Sequence, residues 1–142
     1  MPLLDYLASH ALAFVLLAGL IGLIVGSFLN VVIHRLPRMM EREWRTQALE
    51  LLEPNKEHPA ADTYNLLLPH SHCPHCKTEI KAWQNLPVIS YLLLRGRCGQ
   101  CRAPISPRYP LVEILTAALS MVVAWHYGFG WAAGGMLLLT WG

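Results

Sequence analysis

Four cysteines, the whole complement of the chain, fall in two C-x-x-C pairs, Cys73/Cys76 and Cys98/Cys101, with 21 residues between the pairs. Each pair can present two thiolates on one side of a tight turn, and two such knuckles brought together make a tetrahedral four-thiolate site for zinc. A full set of four thiolates leaves no open coordination position, so this metal would staple the loop rather than react with a substrate. Disulfide or thiol redox chemistry and an iron-sulfur centre are the competing uses of the same spacing. His70, His72 and His75 crowd the first pair. Four cysteines already complete a symmetrical site, so the histidines are expected to face solvent or to support it.

The segments that must hold this cluster are apolar. Of 142 residues 54% are hydrophobic and 14% charged, a lopsided balance for a soluble domain. All 11 Lys and Arg lie between Arg35 and Arg108, and the flanks carry only Asp5 and Glu113 as charges. The central region is too weakly basic, and too poor in interleaved aromatics, to predict nucleic-acid binding.

Ala11 to Ile33 is a charge-free run. As a helix it is about 35 Å long, enough to cross a hydrocarbon core of about 30 Å. No Lys or Arg precedes it, which argues against a cleaved signal peptide. A second span is predicted from Leu111 to about Phe129, with Trp125, His126 and Tyr127 marking the far interface. A third apolar segment starts at Trp131 and reaches only Gly142, about half a crossing, so the chain is expected to stop inside a membrane helix.

Arg35, Arg38, Arg42 and Arg45 follow the first span, and Arg102 and Arg108 precede the second. The positive-inside rule then puts residues 34 to 110 in the cytoplasm and the N-terminus outside. A reducing cytoplasm favours thiolates on a metal over disulfides.

Within the first span Gly19, Gly22, Gly26 and Ser27 form a small-residue face suited to close helix approach. Asn30, near its end, calls for a polar partner inside the protein. The helix is expected to close at His34-Arg35-Leu36-Pro37, because proline disfavours helix in the residue before it. A separate short amphipathic helix is expected from Met39 to Glu53, with Glu41 and Arg45 spaced for an ion pair and Pro54 stopping it. Tyr64 to Leu68 reads as a short strand leading into the first knuckle. The stretch between the knuckles, Lys77 to Arg97, is too apolar for a simple loop and should pack over the metal site or dip towards the membrane. Glu113 has two readings: a carboxylate balancing the positive end of a helix dipole, or one turned inward to meet Arg35, Arg108 or a substrate amine.

The expected architecture is therefore a polytopic α-helical membrane protein with a cytoplasmic four-cysteine zinc-knuckle domain inserted between its first two transmembrane helices and truncated in the third. Its parts are residues 1–33 (lead and first span), 34–110 (zinc-binding domain), 111–129 (second span) and 130–142 (start of the third).

GSFLNVVIHRLP (26–37), NLLLPHSHCPHC (65–76), NLPVISYLLLRGRC (85–98) and CRAPISPRYPLVEILTA (101–117) together resemble the N-terminal part of the type IV prepilin peptidases, aspartic peptidase family A24. His34 stands where that family usually has tyrosine, and His70 and His72 stand where arginine is common. The resemblance implies a multi-pass protein of the bacterial inner membrane that cleaves the basic leader from type IV prepilins or the pseudopilins of type II secretion. In bifunctional members it also implies methylation of the new N-terminus with S-adenosylmethionine, and the cysteine-bearing loop is typical of that form. Asn30, Arg35, Arg97, Arg108 and Glu113 are candidates for the substrate or methyl-transfer region at the membrane-proximal face.

Cleavage in this family needs two aspartates in later membrane segments. Asp5 and Asp62 are the aspartates present, expected on opposite sides of the bilayer, so the 142 residues are not expected to cleave peptides themselves. Two other functions compete: a non-enzymatic membrane-anchored zinc module that binds a partner protein, and a membrane thiol oxidoreductase.

Overall fold

A computed structural model describes residues 2–52, 65–66, 72–80 and 86–142. Five helices follow in order: α1 (Pro2–Ser9), α2 (Ala11–Leu52), α3 (Ile89–Leu93), α4 (Arg108–Tyr127) and α5 (Trp131–Trp141). Two of them, α2 and α4, are long and apolar enough to cross a membrane. α5 is an apolar helix of 11 residues.

The centre of the molecule is the antiparallel α2–α4 pair. Gly19, Gly22 and Gly26, on successive turns of one α2 face, are buried against it. A methyl group at Gly22 would lie 2.6 Å from Ser120 Oγ and 2.8 Å from Ala117 Cα, and one at Gly26 would lie 2.7 Å from Glu113 Cα. The facing side of α4 is small as well, with Thr116, Ala117, Ser120 and Ala124 all buried. Side chains as cramped as hydrogen on one helix and methyl or hydroxymethyl on the other let the backbones come within van der Waals reach, which drives association where lipid removes the hydrophobic incentive. Towards the far end Val15, Ala18 and Ala124 continue the seam, flanked by Phe14 and Met121.

At that end the chain turns from α4 into α5 through Gly128, whose φ of 65° lies in the left-handed region open to glycine. Phe129, in this turn, meets Phe14 edge to face at 5.3 Å. The start of α5 is thereby tied to the start of α2. The indole N–H of Trp141, at the other end of α5, donates to Ser120 Oγ at 2.9 Å. Ser120 is thus a junction of three helices: its hydroxyl donates to the Thr116 carbonyl, accepts from α5 and lies where Gly22 leaves room.

Two expectations are corrected. The first helix does not close at His34–Pro37; α2 runs for 42 residues with Pro37 inside it. A proline forfeits one backbone hydrogen bond. The residues that follow are strong helix formers, rich in Met, Glu, Arg, Gln, Ala and Leu, and the Arg45–Glu41 ion pair at 3.1 Å supports the continuation. The amphipathic stretch after Met39 is therefore the distal part of α2 rather than a separate helix, and its Trp44 and Leu51 are exposed. The N-terminal lead, for its part, is mostly a helix of its own, α1, with Asp5 in its first turn. α1 ends where Tyr6 and His10 stack at 4.1 Å and Ser9 Oγ bonds the Asp5 carbonyl. Asn65, within the expected strand at 64–68, lies in a bend, and Tyr64, Leu67 and Leu68 fall outside the described residues, as do Glu53, Pro54, Asp62 and His70.

A four-thiol cluster pinned to the membrane pair

The four cysteine sulfurs lie within 4.8 Å of one another. Across the two knuckles Cys73 Sγ is 3.8 Å from Cys101 Sγ, and Cys76 Sγ is 4.0 Å from Cys98 Sγ. Zinc–sulfur bonds of about 2.3 Å at tetrahedral angles need sulfurs about 3.8 Å apart, so these distances fit a zinc ion. A disulfide needs about 2.05 Å, and all four cysteines are free thiols.

The knuckles are built alike. Cys73 N–H donates to the Thr78 carbonyl at 2.9 Å, and Cys98 N–H donates to the Ala103 carbonyl at 2.8 Å. Lys77 N–H returns to the Cys73 carbonyl at 2.9 Å, and Arg102 N–H to the Cys98 carbonyl at 3.1 Å. The residue after each second cysteine takes a positive φ, 56° at Lys77 and 60° at Arg102. Short antiparallel bridges, His72 with Glu79 and Arg97 with Pro104, close the two turns at equivalent places. Two copies of one turn thus face each other and contribute two sulfurs each.

Hydrogen bonds within the turns prepare the sulfurs for a cation. The Thr78 hydroxyl, and then its amide, bring Cys76 down to about 6. Amides of Cys101 and Gln100 lower Cys98. Cys101 goes the other way: the Ala103 amide favours its thiolate, but desolvation and the neighbouring Cys76 and Cys98 sulfurs outweigh it and raise Cys101 to about 11. A site that favours the thiolate at Cys76 and Cys98 and disfavours it at Cys101 is one that a divalent ion suits, since its charge offsets the negative charge gathered there.

The residues predicted for the membrane-proximal face come to different ends. Asn30 is buried, and its amide donates to the Tyr109 carbonyl at 3.0 Å. Arg35 is buried and donates to the Asn65 carbonyl at 2.9 Å. Buried Glu113 accepts the Val88 N–H at 2.7 Å. Arg35 and Glu113 therefore join the helix pair to the backbone of two different stretches of the loop, ahead of the first knuckle and between the knuckles, while Asn30 ties α2 to the first turn of α4. Arg97 and Arg108 are exposed.

The polar groups of Asn30 and Glu113 meet backbone, and two clefts lie elsewhere, one lined by Arg38, Glu41, Arg42 and Arg45 on α2 and one by mostly apolar residues of α4, α5 and their junction.

Thr78, Val88 and Ser120 were not singled out from the sequence. Thr116, Ala117, Ser120 and Ala124 recur at helical spacing opposite the glycines, a signal that was present for Ser120. Thr78 and Val88 act through local backbone geometry, for which the sequence held no marker.

Two apolar helices packed through glycines, with a four-thiol cluster carried on the loop between them, define a polytopic helical membrane protein with a candidate metal centre. Residues 20–127 match the family model described as the Bacterial Peptidase A24 N-terminal domain, and the chain belongs to that family. It is 63% identical over 142 residues to the Prepilin leader peptidase/N-methyltransferase of Pseudomonas aeruginosa, covering all of this chain and 49% of the relative. Identity is 62% over 138 residues to the protein of that name from Stutzerimonas stutzeri, covering 97% of this chain and 47% of the relative. For Neisseria gonorrhoeae it is 53% over 124 residues, covering 87% and 43%. The chain thus spans about half the length of the curated relatives it matches. No solved structure matches it.

Proposed function

We propose that these residues form the N-terminal, zinc-stapled membrane portion of a bifunctional enzyme of the bacterial inner membrane. That enzyme removes the leader from type IV prepilins or pseudopilins and methylates the new N-terminus with S-adenosylmethionine. The observation that carries the reading is the match over residues 20–127, together with relatives whose names join a leader peptidase to an N-methyltransferase. Cys73, Cys76, Cys98 and Cys101 would hold the zinc, which supplies a cross-link between the two knuckles and no open position for substrate.

The loop, residues 34–110 in this reading, faces the cytoplasm and the N-terminus faces the periplasm. The arginines at 35, 38, 42, 45 and 108 flanking the apolar runs support that orientation. Asn30, Arg35 and Glu113 are positioning residues: Arg35 and Glu113 hold the loop against the helix pair by its backbone, and Asn30 holds α2 to the start of α4. Exposed Arg97 and Arg108 remain available to anionic groups of substrate or lipid. The peptidase dyad is not drawn from these residues. Asp5 belongs to α1, at the far end of the helix pair from the cysteines, and Asp62 falls outside the described residues.

The test uses the intact gene product, zinc-loaded and reconstituted in lipid, with a leader-bearing prepilin and S-adenosylmethionine labelled in its methyl group. A shortened pilin carrying label at its N-terminus is the expected result. A folded, zinc-loaded preparation that neither shortens nor labels the prepilin overturns the reading.

A further inference from the structure

Between the knuckles the described residues expose a dense apolar surface. Leu86 is 48% exposed, Ile89 55%, Leu92 67% and Leu93 69%. Four large aliphatic side chains within eight residues are costly to leave in water.

The depth of this surface follows from the helix pair. α3 begins just after Val88, whose N–H is bonded to Glu113 Oε2 at 2.7 Å. Glu113 lies five residues into α4 from Arg108, or about 7.5 Å along its axis. On the opposite helix its Cα faces Gly26, well inside the charge-free run from Ala11 to Ile33. The start of α3 is therefore held below the level of the flanking arginines, at the boundary between headgroups and acyl chains.

The backbone at this point is shaped for the contact. Val88 has φ 57° and ψ −44°, and Ile89 N–H reaches back to the Pro87 carbonyl at 2.5 Å, a γ-turn of positive φ. A β-branched residue persists in that region only when its surroundings fix it. The Glu113 carboxylate does so, because the turn aims the Val88 N–H at it. Beyond α3, exposed Arg95 and Arg97 precede the second knuckle, and exposed Arg102 and Arg108 follow it.

We propose that residues 86–94 are a re-entrant membrane anchor, with Leu86, Ile89, Leu92 and Leu93 in contact with lipid acyl chains, Arg95 and Arg97 at the lipid phosphates, and Glu113 as the pin that sets its depth. Continuity with the membrane-spanning pair and the exposed Arg95 and Arg97 directly after α3 both favour lipid as the occupant. The anchor holds the second knuckle to the bilayer surface, because Ile105 N–H bonds the Gly96 carbonyl at 2.7 Å and carries the constraint from α3 into that turn. The inference rests on the membrane pair and is independent of the methyl-transfer reading.

The intact gene product, in nanodiscs of phosphatidylethanolamine and phosphatidylglycerol, is labelled with a genetically encoded nitroxide amino acid so that the thiols stay untouched. Leu92 and Leu93 are replaced one at a time, with Gln100 as the knuckle reference. Collision with oxygen should exceed collision with a water-soluble nickel chelate at 92 and 93, and the order should reverse at 100. The Glu113→Ala substitution should shift position 92 towards the chelate, and Glu113→Gln, which keeps an acceptor, should shift it less. Chelate access at 92 and 93 in the unsubstituted background equal to that at 100 overturns the proposal. So does shielding from both reagents, which would mean that protein, such as another membrane helix or a bound prepilin, covers the patch. An unchanged position 92 in Glu113→Ala removes the pin.

Discussion

Replacing Gly26 by alanine adds one methyl group, yet it should cost more than most deletions in this molecule. The new Cβ would lie 2.7 Å from Glu113 Cα and 3.2 Å from Thr116 Cβ. Carbon atoms rest at about 3.5–4.0 Å, so the helices must part by about 1 Å at this level, and the nearest atom is backbone, which cannot rotate aside. Overpacking of this kind costs about 1–3 kcal/mol. Moving Glu113 by the same amount stretches its 2.7 Å bond to Val88 beyond hydrogen-bonding range, which costs about 1.5–3 kcal/mol for a charged acceptor. Alanine's better helix propensity returns at most about 1 kcal/mol. The sum is destabilising by about 2 kcal/mol or more. Thermal unfolding of the zinc-loaded protein in lipid nanodiscs should show it. Gly135→Ala, where a methyl group meets nothing within 4 Å, is the control and should be neutral or mildly stabilising. The two losses share one contact, so Glu113→Ala should cost less in the Gly26→Ala background than alone. A Gly26→Ala protein as stable as its parent, or strict additivity with Glu113→Ala, would refute the seam and the pin together.

Other consequences are accessible to simpler measurements. Cys98→Ser should reduce bound zinc to the level of chelator-treated protein and open residues 72–105 to protease while α2 stays inserted; retained metal would sink the four-thiol assignment. With the metal stripped, Cys76 at about 6 is mostly thiolate at pH 7 whereas Cys101 at about 11 is not. Alkylation at pH 7 should therefore mark Cys76 before the more exposed Cys101, at a rate that drops as pH falls through 6 and with a preference that fades as pH rises towards 11; Cys101 reacting first would contradict it. A depressed Cys76 also means that its thiolate helps the stripped fold most above about 9 and that this help is lost as pH falls to about 6, partly offset by Cys101, whose raised value acts in the opposite sense. Ser120→Ala leaves the Trp141 indole N–H without its acceptor in a buried place and should destabilise the α4–α5 contact by about 1–3 kcal/mol, read as a shift in Trp141 emission and faster amide exchange in α5. Unaltered exchange there would show that Ser120 is not the junction.

Much of this was legible in the residues. The cysteine spacing gave the cluster, and charge-free length gave the membrane pair, because both signals are local and chemically narrow. The Gly19/Gly22/Gly26 face was visible too, although its partner on α4 was overlooked. What sequence missed depends on competition between effects. Pro37 argued for a helix end, but one lost hydrogen bond is a small loss against a dozen strong helix formers downstream. Glu113 had two readings, Asn30 called for a polar partner inside the protein, and all of Glu113, Asn30 and Arg35 were candidates for the substrate region. Their partners are backbone atoms 25, 79 and 30 residues away in the chain, in the loop for Glu113 and Arg35 and in the first turn of α4 for Asn30, and no side-chain pattern announces a carbonyl or an amide.

The unbroken α2 also has a mechanical meaning. Past Ile33 its last 19 residues extend about 28 Å beyond the charge-free run as one rod with the part inside it. A change of 10° in the tilt of the buried part would carry the tip at Leu52 through about 5 Å. Tilt follows bilayer thickness and the packing of neighbouring helices. A lever of this length turns small adjustments inside the lipid into movements of molecular size outside it, and Pro37 sits near its fulcrum.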